Sequence, residues 1–458
     1  YDDGVDTIIT CDNGISAIDQ IQYAKDLGLT VIVTDHHDVP FIEEDGVRTF
    51  LSSQADAIIN PKQIECEYKF KSICGAGVAF KLMEALYEEI GMDKEECYKL
   101  IEFVAIATVC DVVDLIDENR IFVKNGLEML NNSKNIGINA LKKACGLEDK
   151  KITVYHLGFV IGPCLNASGR LDSAKKGLEL LLMEDDEEAE KLAQEIVDLN
   201  DARKNMTKEG VDRAINIIDS TDINNDKILV VYIPDIHESL AGIVAGRVKE
   251  KYNKPTIILI KSEEGVKGSA RSIEEYNEFE GLLACKELLD KFGGHPMAVG
   301  LSLQEDKVDE LRKALNNKCE LTDEDLTRKI MIDSSLPLEY LNLHLIEELN
   351  VLEPFGKGNS KPVFGVRDAK ITKAILLGKD KNVLKLKLLT NNNITIDAMI
   401  FNDLENFESK IIEKYGNEEL DNLYNKSNNN IPMDFTFYPS INEWNGNKSI
   451  QIVVNGIR

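Results

Sequence analysis

Residues 6–37 read DTIITCDNGISAIDQIQYAKDLGLTVIVTDHH, and this stretch decides the fold. An apolar run ends in a polar turn at Asp12, an amphipathic segment follows, and a second apolar run ends in Asp35, His36 and His37. Short apolar runs separated by a helical pattern are typical of parallel strands joined by a crossover helix. The stretch therefore predicts the start of an α/β domain with a parallel sheet.

Four regions with different patterns follow one another along the chain. The middle of the chain contains a long, charged, proline-free segment at 184–219, which predicts a bridging helix or a helix pair. Past residue 325, apolar and polar residues alternate between turn residues, as in a small Greek-key barrel of roughly five strands. The predicted domains are 1–116 (α/β), 117–222 (helical connector), 223–324 (second α/β domain) and 325–458 (β-barrel).

The charge of the chain is strongly acidic but unevenly distributed. Its 458 residues carry 53 basic and 80 acidic side chains, a formal net charge of −27, and 43% are hydrophobic. This composition excludes wholly disordered, collagen-like and disulfide-scaffold proteins, and the acidity argues against a surface that binds nucleic acid everywhere. Between residues 357 and 387, however, nine basic residues accompany only Asp368 and Asp380. This run predicts a nucleic-acid groove, and the alternative is a solvated face that blocks sheet-edge pairing.

The start of the chain, its apolar runs and its cysteines together predict a cytoplasmic protein. It begins at Tyr1 without a basic and apolar leader, which we interpret as an internal start, and no apolar run is long enough to span a membrane. The nine cysteines are odd in number and never show CxxC spacing. They therefore predict reduced thiols, no disulfide and no zinc knuckle.

Three carboxylates and two histidines form the candidate catalytic group. Asp12 and Asp35 follow predicted parallel strands, at the edge where ligand crevices form. The sequence Asp-His-His there suits a divalent cation such as Mn²⁺, although paired structural histidines with Asp35 as a cap or turn residue are the alternative. Asp111 follows the apolar helix IEFVAIATVC, where an unpaired buried charge would be costly. Its alternative is an exposed residue at the end of that helix.

Ten motifs occur in order along nearly the whole chain, and together they resemble the RecJ exonucleases of the DHH phosphoesterase superfamily. The motifs include TCDNGISA, VTDHH, CGAGVAFKL, IATVCDVVDL, IGPCLNASGRL, GSARSI, FGGHPMAVGL and EPFGKGNSKPVF. The resemblance implies an α/β fold with a DHH catalytic domain, a connecting helix, a DHHA1 domain and a C-terminal OB-fold. It also implies a 5′→3′ exonuclease specific for single-stranded DNA, acting in repair and recombination, with a single-strand-binding protein and a helicase as candidate partners.

The resemblance also assigns roles to individual residues. Asp12, His36 and Asp111 are implied ligands of two Mn²⁺ or Mg²⁺ ions, with Asp12 bridging both. Asp35 is implied to orient the site, and His37 to contact the scissile phosphate. The predicted nucleic-acid and phosphate-binding residues are Arg170, Ser269, Arg271 and His295 from the resemblance, and Lys357 and Lys361 from the basic run.

Two departures from the family pattern bear on activity. The family's first motif, an Asp-x-Asp after an upstream strand, is absent because the chain opens too late to contain it, so we expect impaired turnover with residual single-strand binding. Cys164, in a predicted loop, stands where the family more often has Arg. The alternative functions are a DHH phosphodiesterase of short oligonucleotides or cyclic dinucleotides, and an inactive replication scaffold.

Overall fold

The computed structural model describes residues 2–44, 47–263, 265–378, 381–401, 403–444 and 446–458. The chain divides into two compact units, one formed by 1–129 with 330–458 and the other by 130–329. Each unit has its own buried apolar clusters. Within the described ranges, every helix is too short or too polar to cross a bilayer.

The first unit begins with the predicted parallel sheet. Strand β1 pairs in parallel with β2, and β2 with β5, so that Cys11 lies opposite Thr34 at one end. Val31 and Val33 on β2 are buried with Ile21 of the first helix, which explains the apolar run in the sequence. The elements are β1 (Thr7–Cys11), α1 (Ile18–Asp26), β2 (Thr30–Thr34), β3 (Phe41–Glu44), β4 (Val47–Phe50), β5 (Ala57–Ile59), α2 (Gly75–Glu89), α3 (Lys94–Tyr98), α4 (Ile101–Cys110) and α5 (Asp117–Asn131).

The second unit joins a helical part to a mixed sheet. Its sheet has the order β6-β7-β8-β10-β9, parallel only between β6 and β7. A π-helical segment, Leu157–Ile161, connects α7 to α8. The elements are α6 (Ile136–Ala144), α7 (Val154–His156), α8 (Gly162–Leu171), α9 (Lys175–Leu181), α10 (Asp186–Ser220), β6 (Leu229–Tyr232), α11 (Ala241–Tyr252), β7 (Thr256–Ser262), β8 (Gly265–Arg271), α12 (Glu278–Leu283), β9 (Lys291–His295), β10 (Ala298–Leu303) and α13 (Val308–Lys318).

The charged segment of the connector forms one continuous helix of 35 residues, α10, and not a pair. Asp185 caps it by accepting a hydrogen bond from the N–H of Glu188 at 2.9 Å. Gly210 does not break the helix. It lies where α10 approaches α11, and a Cβ there would be 3.0 Å from a methyl carbon of Val244.

The first unit is completed by the predicted barrel, which closes because β12 pairs with both β13 and β15. Its inner face alternates along β13, where Leu384, Leu386 and Leu388 are buried. Two helices that the sequence reading missed, α15 and α16, lie between β14 and β15. The elements are β11 (Ser334–Ser335), α14 (Leu343–Asn350), β12 (Phe364–Leu377), β13 (Val383–Leu389), β14 (Thr395–Phe401), α15 (Leu404–Tyr415), α16 (Asn417–Asn425), β15 (Ile431–Trp444) and β16 (Asn447–Ile457).

Candidate active site

Asp12 lies in the turn that follows β1, at the carboxyl end of the parallel sheet. Its φ of 62° is left-handed, which aspartate tolerates better than most residues, and its N–H donates to the carbonyl of Thr34 at 3.0 Å. Its side chain lies against Gly75, the first residue of α2. A Cβ on Gly75 would be 2.3 Å from Asp12 Oδ1, so glycine provides the space that the carboxylate occupies.

Asp35 is buried, and its carboxylate accepts several hydrogen bonds. It accepts from the N–H groups of Ile15 at 2.9 Å and His36 at 2.8 Å, and its Oδ1 lies 2.7 Å from His37 Nδ1. Burial would raise the pKa of Asp35, but these hydrogen bonds outweigh it and lower that pKa. Asp35 therefore holds the turn and orients the His37 ring.

His36 presents its Nε2 atom to two carboxylates. That nitrogen is 3.0 Å from Asp12 Oδ1 and 3.4 Å from Asp111 Oδ2, yet it is buried and makes no hydrogen bond among the described residues. One ligand atom each from Asp12, His36 and His37 lie within 4.8 Å of one another. A buried imidazole nitrogen fits a divalent cation such as Mn²⁺ or Mg²⁺ when it faces carboxylate oxygens and makes no hydrogen bond.

Asp111 ends α4 beside this cluster. Its side chain is 39% exposed, so the buried environment suggested by the apolar helix is wrong; the helix end opens to solvent. Partial burial nevertheless raises the pKa of Asp111, and the Asp12 carboxylate adds to this increase against the opposing effect of His36. The next residue, Val112, has a φ of 56°, which is unfavourable for a β-branched side chain.

In the second unit, strand pairing brings three predicted phosphate-binding residues to one sheet. Ser269 and Arg271 lie on β8 and His295 ends β9, and both strands flank β10. Arg271 Nη1 donates to Ser269 Oγ at 2.9 Å. Gly294 lies in strand β9, and a Cβ there would be 2.3 Å from the carbonyl oxygen of Ala298.

The guanidinium groups of Arg203 and Arg271 both lie within electrostatic range of Arg170 in the second unit. Arg170, in the last turn of α8, donates to the carbonyl of Ser239 at 3.0 Å. Burial lowers the pKa values of Arg271 and Arg203, and the positive charge of Arg170 lowers both further. Sequence reasoning missed Arg203, because in α10 it stands among many charged residues and only the fold brings it near Arg170. A cavity of about 420 Å³ beside Ser269 is also lined by two lysines and Gly293.

The two barrel lysines predicted to bind nucleic acid already have neighbours. Lys357 Nζ is 3.6 Å from Asp114 Oδ1, and Lys361 Nζ lies 4.9 Å from the centre of the Tyr438 ring. The Tyr438 contact is a cation–π arrangement, and Tyr438 is only 6% exposed, so its ring offers almost no surface for base stacking.

The basic run is partly neutralised by an acidic residue on the next strand. Asp397 on β14 lies 2.5 Å from the ammonium groups of both Lys385 and Lys387 on β13. Cross-strand pairing places Asp397 directly opposite Lys387. Lys379, another member of the run, is outside the described residues. The free positive charge on this face is therefore smaller than the sequence window suggests.

Comparisons with known proteins identify the family. Three family models match: DHH family, N-terminal domain (residues 3–108), DHHA1 domain (225–321) and RecJ OB domain (332–456). The single-stranded-DNA-specific exonuclease RecJ of Haemophilus influenzae is 33% identical over 473 residues, a match that covers 99% of this chain and 78% of the relative. The chain belongs to the RecJ family. The resemblance drawn from the ordered motifs, and the DHH, DHHA1 and OB composition that it implied, are confirmed.

Two further relatives define the extent of the RecJ similarity. The Bacillus subtilis RecJ exonuclease is 36% identical over 455 residues, covering 98% of this chain and 54% of that protein. The crystal structure of Thermus thermophilus RecJ in complex with Mn²⁺ superposes with a TM-score of 0.79 at 25% identity, covering 99% of this chain and 62% of that one. The chain thus spans about half the length of the Bacillus relative.

One RecJ-family position has an unexpected environment. Cys164, where an arginine was anticipated, is buried within α8, so the predicted loop is wrong. Its Sγ lies 3.8 Å from Cys145 Sγ and accepts from Asn200 Nδ2 at 3.2 Å. The neighbouring Arg170 and Arg203 supply positive charge in this part of the unit.

Proposed function

We propose that this chain acts on single-stranded DNA as a 5′→3′ exonuclease that hydrolyses phosphodiester bonds in DNA repair and recombination. The observation that carries the proposal is the buried His36 Nε2, which makes no hydrogen bond among the described residues and faces the Asp12 and Asp111 carboxylates. Membership of a family whose relatives are named single-stranded-DNA-specific exonucleases supplies the substrate class.

Asp12, His36 and Asp111 would hold the divalent cations. Two Mn²⁺ or Mg²⁺ ions supply an activated water and charge stabilisation for an in-line displacement at phosphorus. The side chains of the protein orient the groups that contact the substrate. Asp35 fixes the orientation of the His37 ring through Nδ1, so that the other ring nitrogen is available to a scissile phosphate oxygen.

The second unit supports recognition of the 5′ end. Arg271 and Arg170 offer planar guanidinium forks, Ser269 a hydroxyl and His295 an imidazole, which together suit a phosphate group. The backbone at Gly293 and Gly294 permits close approach. We propose that this surface binds the 5′-terminal phosphate and the first nucleotides.

The OB barrel favours a long substrate over a dinucleotide, because such barrels bind extended single strands through basic and aromatic side chains. Lys361, which lies over the buried Tyr438 ring, is a basic side chain of this kind. We also propose that a single-strand-binding protein or a helicase delivers the strand, which co-purification with tagged chain would test. The free thiols of the nine cysteines support a cytoplasmic location.

The donor set supports slow turnover by the 458-residue chain. Asp12, His36 and Asp111 are too few side chains to hold a well-populated pair of divalent ions. We therefore propose weak Mn²⁺-dependent cleavage with retained single-strand binding. Rapid processive digestion by this chain would show that these three side chains suffice.

The test compares a 5′-phosphorylated single strand, the same strand in a duplex and a dinucleotide, with Mn²⁺ or with a chelator. We expect cleavage of the single strand only, and only with Mn²⁺. His36→Asn should abolish cleavage and leave metal-free strand binding intact, whereas His344→Asn, an exposed helix position, should behave as wild type. Preferred cleavage of the dinucleotide, or normal activity of His36→Asn, would contradict the proposal.

A further inference from the structure

The loop at residues 351–359, here named the barrel loop, joins α14 to β12 and is braced from within. Gly356 and Asn359 exchange backbone hydrogen bonds at 2.9 and 3.2 Å. The Asn359 side-chain amide also donates to the carbonyls of Leu352 and Pro354, both at 2.9 Å. A loop with this many internal hydrogen bonds can hold a neighbouring segment in one position.

The barrel loop docks on the segment that follows Asp111. The N–H of Leu115 donates to the carbonyl of Lys357 at 2.7 Å, and the Lys357 ammonium group lies 3.6 Å from Asp114. The fit leaves no space for added atoms. A Cβ on Gly356 would be 2.5 Å from Leu115 Cδ1, and one on Gly358 would be 2.8 Å from Asp114 Cβ.

A second attachment comes from α5. Arg120 Nη2 donates to the carbonyls of Val351 at 3.1 Å and Glu353 at 2.9 Å, which lie at the start of the barrel loop. These contacts join residues more than 230 positions apart in the sequence. The loop is therefore held to the catalytic half of the unit at both of its ends.

The same segment is fixed on its other side. Asn119, fully buried, donates to the carbonyl of Asp114 at 2.9 Å and to that of Ser72 at 2.7 Å. Between Asp111 and Asp114 stands Val112, whose left-handed φ of 56° is strained for a valine. Such a conformation persists only where surrounding contacts determine it, and the barrel loop and Asn119 supply those contacts.

We propose that the barrel loop is a positioning element for the metal site: by fixing Asp114 and Leu115 it sets the place of the Asp111 carboxylate opposite His36. The OB part then contributes to the geometry of the metal site through this loop, in addition to binding the strand. The inference rests on the proposed function for the role of Asp111. Lys357 and Gly358 are positioning residues in this view.

The experiment compares Gly358→Ala with Gly378→Ala in the same 458-residue chain. Both glycines have positive φ, 72° and 87°, so both variants carry similar backbone strain. Only the first places a Cβ against Asp114, since the Gly378 Cβ would meet the flexible tip of Asn382 at 3.0 Å. Hydrogen exchange of the metal-free chain and Mn²⁺ titration by calorimetry are the two readouts.

We expect Gly358→Ala to lose amide protection at Asp111 and Leu115 and to bind Mn²⁺ about tenfold more weakly. Gly378→Ala should match wild type in both. Arg120→Ala should reproduce the effect, with partial rescue by Arg120→Lys, and serves if Gly358→Ala does not fold. Unchanged protection of Asp111 in a folded variant, or lost protection with unchanged Mn²⁺ affinity, would overturn the inference. Failure of wild type to bind Mn²⁺ would instead count against the proposed function, and exchange at Asp111 would still decide the positioning role.

Discussion

Gly75→Ala tests whether the shape of the site depends on the contact between α2 and Asp12. The new Cβ would lie 2.3 Å from Oδ1, 2.6 Å from Cγ and 2.5 Å from Cβ of Asp12. A rotamer change can move Oδ1 away, but it cannot move the Cβ of Asp12. The backbone of the β1 turn or of α2 must therefore shift by about 1 Å to restore ordinary contact.

A displacement of about 1 Å at a reacting group costs roughly 100-fold in rate, and loss of ligand orientation costs about 10 to 100-fold in metal affinity. In calorimetric titration we expect Gly75→Ala to bind Mn²⁺ about 10 to 100-fold more weakly than wild type. Overpacking should also lower the free energy of unfolding by about 1 to 3 kcal/mol.

Gly77→Ala in the same helix is the matched control. Its Cβ would lie 2.5 Å from Ile73 Cγ1, so it should lower stability to a similar degree without touching Asp12. If Gly75→Ala folds and binds Mn²⁺ as tightly as Gly77→Ala, the reasoning about Asp12 is refuted.

Three other predictions concern charge. Asp397→Asn should release the two lysines that it pairs with on β13. In anisotropy titrations we therefore expect higher affinity for the single strand at low salt, and a slope of log K against log salt that is steeper by about 1. An unchanged slope would mean that these lysines do not contact the strand. Burial raises the pKa of Glu278 to about 8, against the opposing effect of the Ser272 hydroxyl. The folded chain therefore keeps a proton on Glu278 that the unfolded chain releases near pH 4.3, so the free energy of unfolding falls as pH rises from there to about 8. Glu278→Gln should raise Tm more at pH 8 than at pH 5. Equal shifts of Tm at the two pH values would contradict this prediction. A hydrogen bond from the Cys164 thiol lowers the pKa of Cys145, whereas burial raises the pKa of Cys110 to about 11. Iodoacetamide should therefore alkylate Cys145 at lower pH than Cys110, which peptide mass spectrometry can check. Earlier modification of Cys110 would argue against that hydrogen bond.

The strands of the barrel and those that carry Asp12 and Asp35 could be predicted because their signals are local. The alternation in β12 and β13, and the apolar runs before Asp12 and Asp35, depend on neighbours within a few residues. The segment between β14 and β15 was missed, although Phe407 and Ile411 are buried at helical spacing. Its many polar residues and the asparagine run after it obscured that periodicity.

Contacts between distant parts of the chain could not be predicted from one sequence. Nothing in the residues around Gly75 indicates that Asp12 fills the space beside it. The pairing of Arg120 with carbonyls of the barrel loop likewise has no local signal. The basic run was overestimated for the opposite reason: the window stopped at 387, and the compensating Asp397 lies one strand later.

The two carboxylates that face His36 both stand next to unusual backbone, and the two cases differ in origin. The φ of 62° at Asp12 follows from a turn sequence, Cys-Asp-Asn-Gly, whose residues adopt such conformations readily. The φ of 56° at Val112 has no such explanation, because a β-branched residue resists it. The strain beside Asp111 must therefore be offset by contacts from elsewhere, and the barrel loop provides them. A site with one ligand set by local sequence and another set by a distant loop should lose the second ligand first when the barrel is perturbed.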